Sequence, residues 1–123
     1  MLIIGTGGFA KETLEVLLHN NYDSNITFFN NIDDSFEFEI PDLKKYSVLH
    51  SFEEAEKYFK NTDQNFTLGI GNPTHRKYLY EKLVQLGGTP YQLISQHAII
   101  GAIGNSFGNG VNIMSSNTFT SGI

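Results

Sequence analysis

The chain has 123 residues, of which 13 are acidic and 8 basic, giving a formal net charge of −5 at pH 7. The acidic balance and the scattered basic residues argue against a nucleic-acid-binding surface. Cysteine is absent, which excludes disulfides, thiolate metal sites and cysteine nucleophiles and fits a cytoplasmic location. The first residues form neither a signal peptide nor a membrane span, so we predict no membrane partner.

The first 30 residues predict a strand, a glycine-rich turn, a helix and a second strand. Residues 2–4 form a short apolar run that ends at Gly5. Residues 10–19 carry an apolar stripe at helical spacing, and residues 26–29 are β-branched and aromatic. The polar residues that follow predict a loop at the carboxyl end of the second strand.

Capping residues predict two further helices. Ser51 precedes Glu54 by three residues, the spacing of a capping box, so a helix is expected from there to about residue 60. After an apolar strand over residues 66–70, Asn72 is placed to cap a helix that has Pro73 at its first position.

The order of these elements predicts an α/β domain over residues 1–94, with a parallel sheet and helices on both faces. A last strand is expected over residues 91–94. Residues 33–50 show no clear periodicity, so no element is predicted there.

Residues 95–123 differ sharply in composition from the preceding part of the chain. They contain no Asp, Glu, Lys or Arg, and Phe107, Ile113 and Phe119 recur every six positions among glycines and small polar residues. A six-residue apolar period of this kind predicts a β-helix, of which only the first coil would be present.

The first glycine turn carries a nucleotide-binding motif. Gly5, Gly7 and Ala10 have the G-x-G-x-x-A spacing, directly after a predicted strand and at the start of a predicted helix. Glycines let the main chain approach a phosphate closely, and the helix N-terminus offers free amides and a partial positive charge. The alternative is a tight turn that binds no ligand.

The residues after the second strand bear on which nucleotide would bind. An NAD-binding domain is expected to have an acidic side chain there to hold the ribose. Here the strand ends at Asn30 and Asn31, and Asp33 and Asp34 lie a few residues beyond. The two aspartates are either ligand contacts or solvated loop residues, and NAD is disfavoured.

A second glycine turn, Gly71 and Asn72, follows the strand over residues 66–70. Arg76, the only arginine, lies one turn into the next helix. Its planar guanidinium could clamp a diphosphate, or it could be an ordinary surface ion-pair partner. The four histidines are scattered at spacings that build no metal site, and we predict no catalytic residue.

The segments IIGTGGFAKE, IGNPTHR and FGNGVNIMSSNTF, in this order, resemble the sialic-acid O-acetyltransferase family of sugar acyltransferases, which includes UDP-amino-sugar N-acetyltransferases of surface-glycan pathways. The resemblance implies a Rossmann-like N-terminal domain that binds a nucleotide-linked sugar. It also implies a left-handed β-helix of hexapeptide repeats, which forms a homotrimer and binds acetyl-CoA between subunits. The residues that would face the nucleotide sugar are Gly5, Gly7, Gly8, Phe9, Ala10, Asn30, Asn31, Gly71, Asn72 and Arg76.

The chain departs from the family pattern in ways that limit its predicted function. Many relatives have an aspartate where Asn30 stands and a histidine-proline pair where Ser95 and Gln96 stand. The family's histidine base lies further along the β-helix than Ile123. We therefore expect the chain to bind a UDP- or dTDP-linked amino sugar, to hold no acetyl-CoA, to transfer no acetyl group and to associate weakly.

Two other hypotheses remain open from the sequence. One is a non-catalytic nucleotide-binding module whose glycine-rich tail is a linker or a partner-binding strand. The other is the NAD-binding domain of an oxidoreductase.

Overall fold

A five-stranded parallel sheet forms the centre of the fold in a computed structural model, which describes residues 1–22, 24–94, 99–100, 112–113 and 118–119. The strand order is β3-β2-β1-β4-β5, and every pairing in this sheet is parallel. The strands are β1 Leu2–Ile4, β2 Thr27–Phe29, β3 Val48–Leu49, β4 Asn65–Leu68 and β5 Thr89–Pro90. The helices are α1 Gly8–His19, α2 Phe52–Asn61 and α3 Pro73–Gln85.

The sheet is buried on both faces because side chains alternate along each strand. Ile3 belongs to an apolar cluster with residues of α1, whereas Leu2 and Ile4 belong to a second cluster with residues of α2 and α3. Helices therefore cover both faces of the sheet. The predicted α/β class with a parallel sheet is confirmed.

The capping residues act as the sequence predicts. Ser51 Oγ accepts a hydrogen bond from the amide of Glu54 at 3.1 Å. The Glu54 carboxylate accepts from the amide of His50 at 3.2 Å, one residue earlier than in a standard capping box. Asn72 Oδ1 accepts from the amides of Thr74 and His75 at 3.0 and 3.1 Å and so begins α3.

The predicted last strand over residues 91–94 is wrong in extent and pairing. The sheet ends instead with Thr89–Pro90, and Leu93–Ile94 forms a separate strand, β6, that pairs with Asn112–Ile113, β8. The amides of Thr89 and Tyr91 donate to the carbonyls of Gln64 and Phe66, each at 2.8 Å, so the chain is bonded to β4 before Leu93 is reached.

The described residues beyond 94 form short parallel strand pairs. Besides β6 with β8, Ile99–Ile100 (β7) pairs with Thr118–Phe119 (β9). Leu93 pairs with Asn112 and Ile99 with Thr118, so the partners are 19 residues apart in both pairs. Phe107 lies outside the described residues, and the β-helix, like the domain boundary at residue 94, stays a prediction.

No helix in the described part of the chain is both long and apolar enough to cross a membrane.

An ion pair lies at the amino-terminal edge of the sheet. The buried Met1 ammonium pairs with the carboxylate of Asp63 and donates to the Tyr58 hydroxyl at 3.0 Å and to the Asn25 carbonyl at 2.7 Å. Burial alone would raise the pKa of Asp63. Hydrogen bonds from the Met1 ammonium and the Asn65 amide, together with the charge of the ammonium, outweigh burial and hold that pKa below its ordinary value.

We expect Asp63→Asn to destabilise the protein at neutral pH and to make its free energy of unfolding depend less on pH in the acid range. The folded pKa of Asp63 lies below the unfolded value of about 3.9, so its contribution is present above that pH and is lost as pH falls through the folded pKa. The loss at pH 7 should be about 1–2 kcal/mol. Urea denaturation at pH 7 and pH 3 measures it, with Asp42→Asn at an exposed position as the control. Identical pH profiles for the two variants would contradict this expectation.

Candidate functional site

The candidate site is a crevice at the carboxyl ends of β1 and β4. From β1 the chain continues to β2 and β3 on one side of β1, and it then crosses to β4 and β5 on the other side. The strand order therefore reverses between β1 and β4, which are parallel neighbours. In open parallel sheets ligands bind outside the carboxyl ends of the strands at such a switch point. Both predicted glycine turns lie here: the first spans residues 5–8, and the second, predicted at Gly71 and Asn72, begins at residue 69 because β4 ends at Leu68.

The base of the crevice is made of main chain. Gly5 has φ +114°, and its amide donates to the Phe29 carbonyl at 2.8 Å. A Cβ at Gly5 would lie 2.7 Å from the carbonyl oxygen of Gly69 and 2.7 Å from the Ile70 side chain. The two turns therefore meet at a point where neither has space for a further atom.

The next two glycines of the first turn, in contrast to Gly5, have open space around them. Gly7 and Gly8 are exposed, and a Cβ at either would meet nothing within 4 Å. Gly7 precedes the first residue of α1 and has no side chain that could cap the first amides of the helix. This arrangement leaves room for an anion close to the main chain.

Ala10 and Phe9, both predicted to face the ligand, lie deeper than the glycines. The Ala10 side chain is fully buried, and a Cβ at Gly69 would lie 2.9 Å from the Cα of Ala10. Ala10 thus sets α1 close against the sheet, the role of the third position of the motif. Phe9 is half-buried, and its carbonyl accepts from Thr13 Oγ1 at 2.9 Å.

Asn30 joins the end of β2 to the first glycine turn. Its Nδ2 donates to Thr6 Oγ1 at 2.9 Å. Its Oδ1 accepts from the amides of Ile32 and Asp33, each at 3.0 Å. Asn30 thus lies beside the first glycine turn, whereas Asn31 is an exposed loop residue, and their contact with a nucleotide sugar stays a prediction.

Arg76 is bound to the main chain of the second turn. Its Nη1 donates to the Ile70 carbonyl at 2.8 Å and to the Leu68 carbonyl at 3.4 Å, and partial burial lowers its pKa. No carboxylate in the described ranges pairs with it. The guanidinium supports the turn that contains Gly71 and Asn72, and its role as a diphosphate clamp stays a prediction.

His50 lies at this edge of the sheet but was not among the predicted site residues. Its Nδ1 lies 2.9 Å from the Asn30 carbonyl oxygen. It lines a groove of about 550 Å³ whose other residues are Phe36, Glu37, Phe38, Lys44, Lys45, Tyr46, Ser47 and Val48. The sequence gives no sign of this position, because His50 follows β3, a strand of two residues in a segment without periodicity.

Asp33 borders a second groove of about 410 Å³, which also includes Lys11 and Ser35. Its Oδ1 accepts from the Ser35 amide at 3.0 Å and from the Ser35 hydroxyl at 2.8 Å. These bonds, with the nearby His50 ring, hold the pKa of Asp33 below its ordinary value. Among the described residues, no group of three His, Asp or Glu side chains could hold a metal ion.

The parallel sheet, its strand order and the glycine turns at the switch point define a Rossmann-like α/β domain. Residues 1–83 match the PglD N-terminal domain family. The chain belongs to this family. A comparison with curated proteins gave no match.

Solved structures share the fold at low sequence identity. A mutant of perosamine N-acetyltransferase from Caulobacter crescentus, in complex with CoA and GDP-perosamine, superposes with TM-score 0.81 at 20% identity, over 98% of this chain and 54% of that one. PerB from the same organism, with the same ligands, gives 0.78 at 20% identity and the same coverage. The acetyltransferase domain of PglB from Neisseria gonorrhoeae gives 0.73 at 21% identity, over 95% of this chain and 54% of that one. The chain thus spans about half the length of these proteins.

Proposed function

We propose that residues 1–94 form the nucleotide-sugar-binding part of an acetyl-CoA-dependent sugar N- or O-acetyltransferase, which acts on a nucleotide-linked amino sugar in surface-glycan biosynthesis. The observation that carries this proposal is the open space over Gly7 and Gly8 at the start of α1, in a chain of the PglD N-terminal domain family. Acetyl-CoA would be the co-substrate of the whole enzyme, as CoA accompanies GDP-perosamine in the similar structures.

The chemistry of the crevice suits a diphosphate. Gly7 gives the first amides of α1 no side-chain cap and the helix dipole adds a partial positive charge, so these amides could hold an anion without a metal or a cationic side chain. Arg76 would add a hydrogen-bond donor at the second glycine turn. Both of its main-chain bonds are made by Nη1, so the other guanidinium nitrogens could donate to an anion. The nucleoside would then lie toward the ends of β2 and β3.

NAD is the competing ligand, and Asn30 disfavours it. In NAD-binding domains an acidic side chain at the end of β2 accepts from the ribose hydroxyls. Here an amide stands in that place, with its oxygen already bonded to two loop amides. The predicted β-helix, trimer, cytoplasmic location and lack of acetyl transfer by this chain stay predictions.

Calorimetric titration tests the proposal. The chain should bind at least one of the UDP-, dTDP- and GDP-linked amino sugars, and NAD(H) should bind more weakly or not at all. Gly7→Leu should abolish binding, since the added side chain enters open space and blocks the helix N-terminus, and should lower the melting temperature only slightly, by the cost of an apolar residue at an N-cap. Gln85→Leu, at an exposed position in the last turn of α3, is the matched control. Binding of NAD(H) without any nucleotide sugar would refute the proposal.

A further inference from the structure

At the end of β2, where related folds bind the ribose, the Asn30 side chain of this protein already makes hydrogen bonds within the chain. An acceptor at the end of β2 commonly binds the ribose hydroxyls of a nucleotide. Here Asn30 Oδ1 accepts from the amides of Ile32 and Asp33, and Nδ2 donates to Thr6. The Asn30 side chain therefore shapes the loop, and a ribose acceptor has to come from a neighbouring residue.

His50 has the geometry of such an acceptor. It follows β3, which lies beside β2 in the sheet, and its Nδ1 is 2.9 Å from the Asn30 carbonyl oxygen. A carbonyl oxygen can only accept, so Nδ1 carries the proton, and in the neutral ring Nε2 is then the acceptor. No partner of Nε2 is found in the described part of the chain.

The surroundings of His50 have the size and place of a nucleoside site. The groove that it lines, about 550 Å³, falls within the range of small-molecule sites. Residues 44–47 of the groove precede β3, whereas His50 follows it; because β1, β2 and β3 are parallel, His50 lies at the end of the groove that is on the same edge of the sheet as the first glycine turn. A nucleotide with its diphosphate at Gly7 would have its ribose toward the ends of β2 and β3.

We propose that Nε2 of His50 accepts a hydrogen bond from a ribose hydroxyl of the bound nucleotide sugar. His50 thereby replaces the acidic residue that performs this task at the end of β2 in dinucleotide-binding domains. The inference rests on the proposed function above and names a specificity-determining residue for the same site.

Asp33 is the rival acceptor, and the geometry favours His50. Asp33 lies on an exposed loop, and its Oδ1 is occupied by the amide and hydroxyl of Ser35. His50 is fixed at two points: its ring by the Asn30 carbonyl and its amide by the Glu54 carboxylate. An acceptor that is already ordered loses less conformational entropy when the ligand binds.

Titration of paired nucleotides tests the assignment. The probes are UDP and GDP, each beside its 2′,3′-dideoxy analogue. The wild type should bind the better parent nucleotide about tenfold more tightly than its analogue, as expected for one hydrogen bond. His50→Asn keeps an amide donor near the Nδ1 position but has no atom at the Nε2 position, so the preference should fall to about twofold or less.

Three further variants make every outcome decisive. His50→Gln, with an amide oxygen available near the Nε2 position, should restore much of the preference, and His19→Asn at the far end of α1 should leave it unchanged. If His50→Asn retains the full preference and Asp33→Asn loses it, Asp33 is the acceptor and this inference is wrong while the proposed function stands. If the wild type binds neither UDP nor GDP, this inference is wrong, and the proposed function falls with it only if the UDP-, dTDP- and GDP-linked amino sugars also fail to bind.

Discussion

Gly5→Ala should lower the free energy of unfolding by about 3 kcal/mol or more, the sum of backbone strain and overpacking. Gly5 has φ +114°, a conformation that L side chains rarely adopt. The new Cβ would also lie 2.7 Å from the Gly69 carbonyl oxygen, a main-chain atom that cannot move without displacing β4. Relief of this contact would separate β1 from β4, so nucleotide-sugar binding should be lost as well.

Urea denaturation measures the effect as a lower midpoint at a similar slope. Gly71→Ala is the matched control, because Gly71 lies in the second glycine turn but a Cβ there would meet nothing within 4 Å. We expect Gly71→Ala to change stability by no more than about 0.5 kcal/mol. Equal midpoints for the two variants would show that the contact between Gly5 and Gly69 does not constrain the fold.

Phe28→Ala should cost about 3–5 kcal/mol, the usual loss for a buried phenylalanine. Phe28 is fully buried in β2, and its ring meets the rings of Phe38 and Tyr46 edge-on at centroid distances of 4.9 and 5.6 Å. Phe38 and Tyr46 also line the groove beside His50. The cavity left by the ring should therefore loosen one side of the proposed nucleoside site.

The effect on binding is separable from the effect on folding. Affinity measured at a temperature where Phe28→Ala is still folded should fall, whereas Tyr78→Ala, at a side chain that is 58% exposed, should change neither stability nor affinity appreciably. Unaltered affinity in folded Phe28→Ala would mean that the segment carrying Phe38 and Tyr46 holds its place without Phe28.

The elements that the sequence predicts well are those whose determinants are local. Asn72 and Pro73 fix the start of α3, and Ser51 with Glu54 fixes the start of α2, because caps act within four residues. The first glycine motif predicts its turn for the same reason. Each of these signals can be recognised without knowing which strands are neighbours.

The parts that the sequence does not predict depend on contacts between distant residues. β3 has only two residues and exists because it pairs with β2, so it leaves no periodic pattern, and His50 is missed with it. The bond between Asn30 and Thr6 joins residues 24 positions apart. Leu93–Ile94 belongs to a different strand pair from Thr89–Pro90, because its partner is Asn112–Ile113, 19 residues further along the chain.

The contact between Gly5 and Gly69 has a consequence for how substrate preference can change. The base of the crevice is made largely of main chain, with the Ile70 side chain beside Gly5, so substitutions elsewhere should have little effect on its affinity for phosphate oxygens. The side chains that would distinguish one nucleotide sugar from another under the proposed function, Asn30, His50 and Arg76, stand around this base on three different segments. Preference for a base or sugar would then drift, or be redesigned, by exchange of those side chains while the proposed diphosphate site stays unchanged.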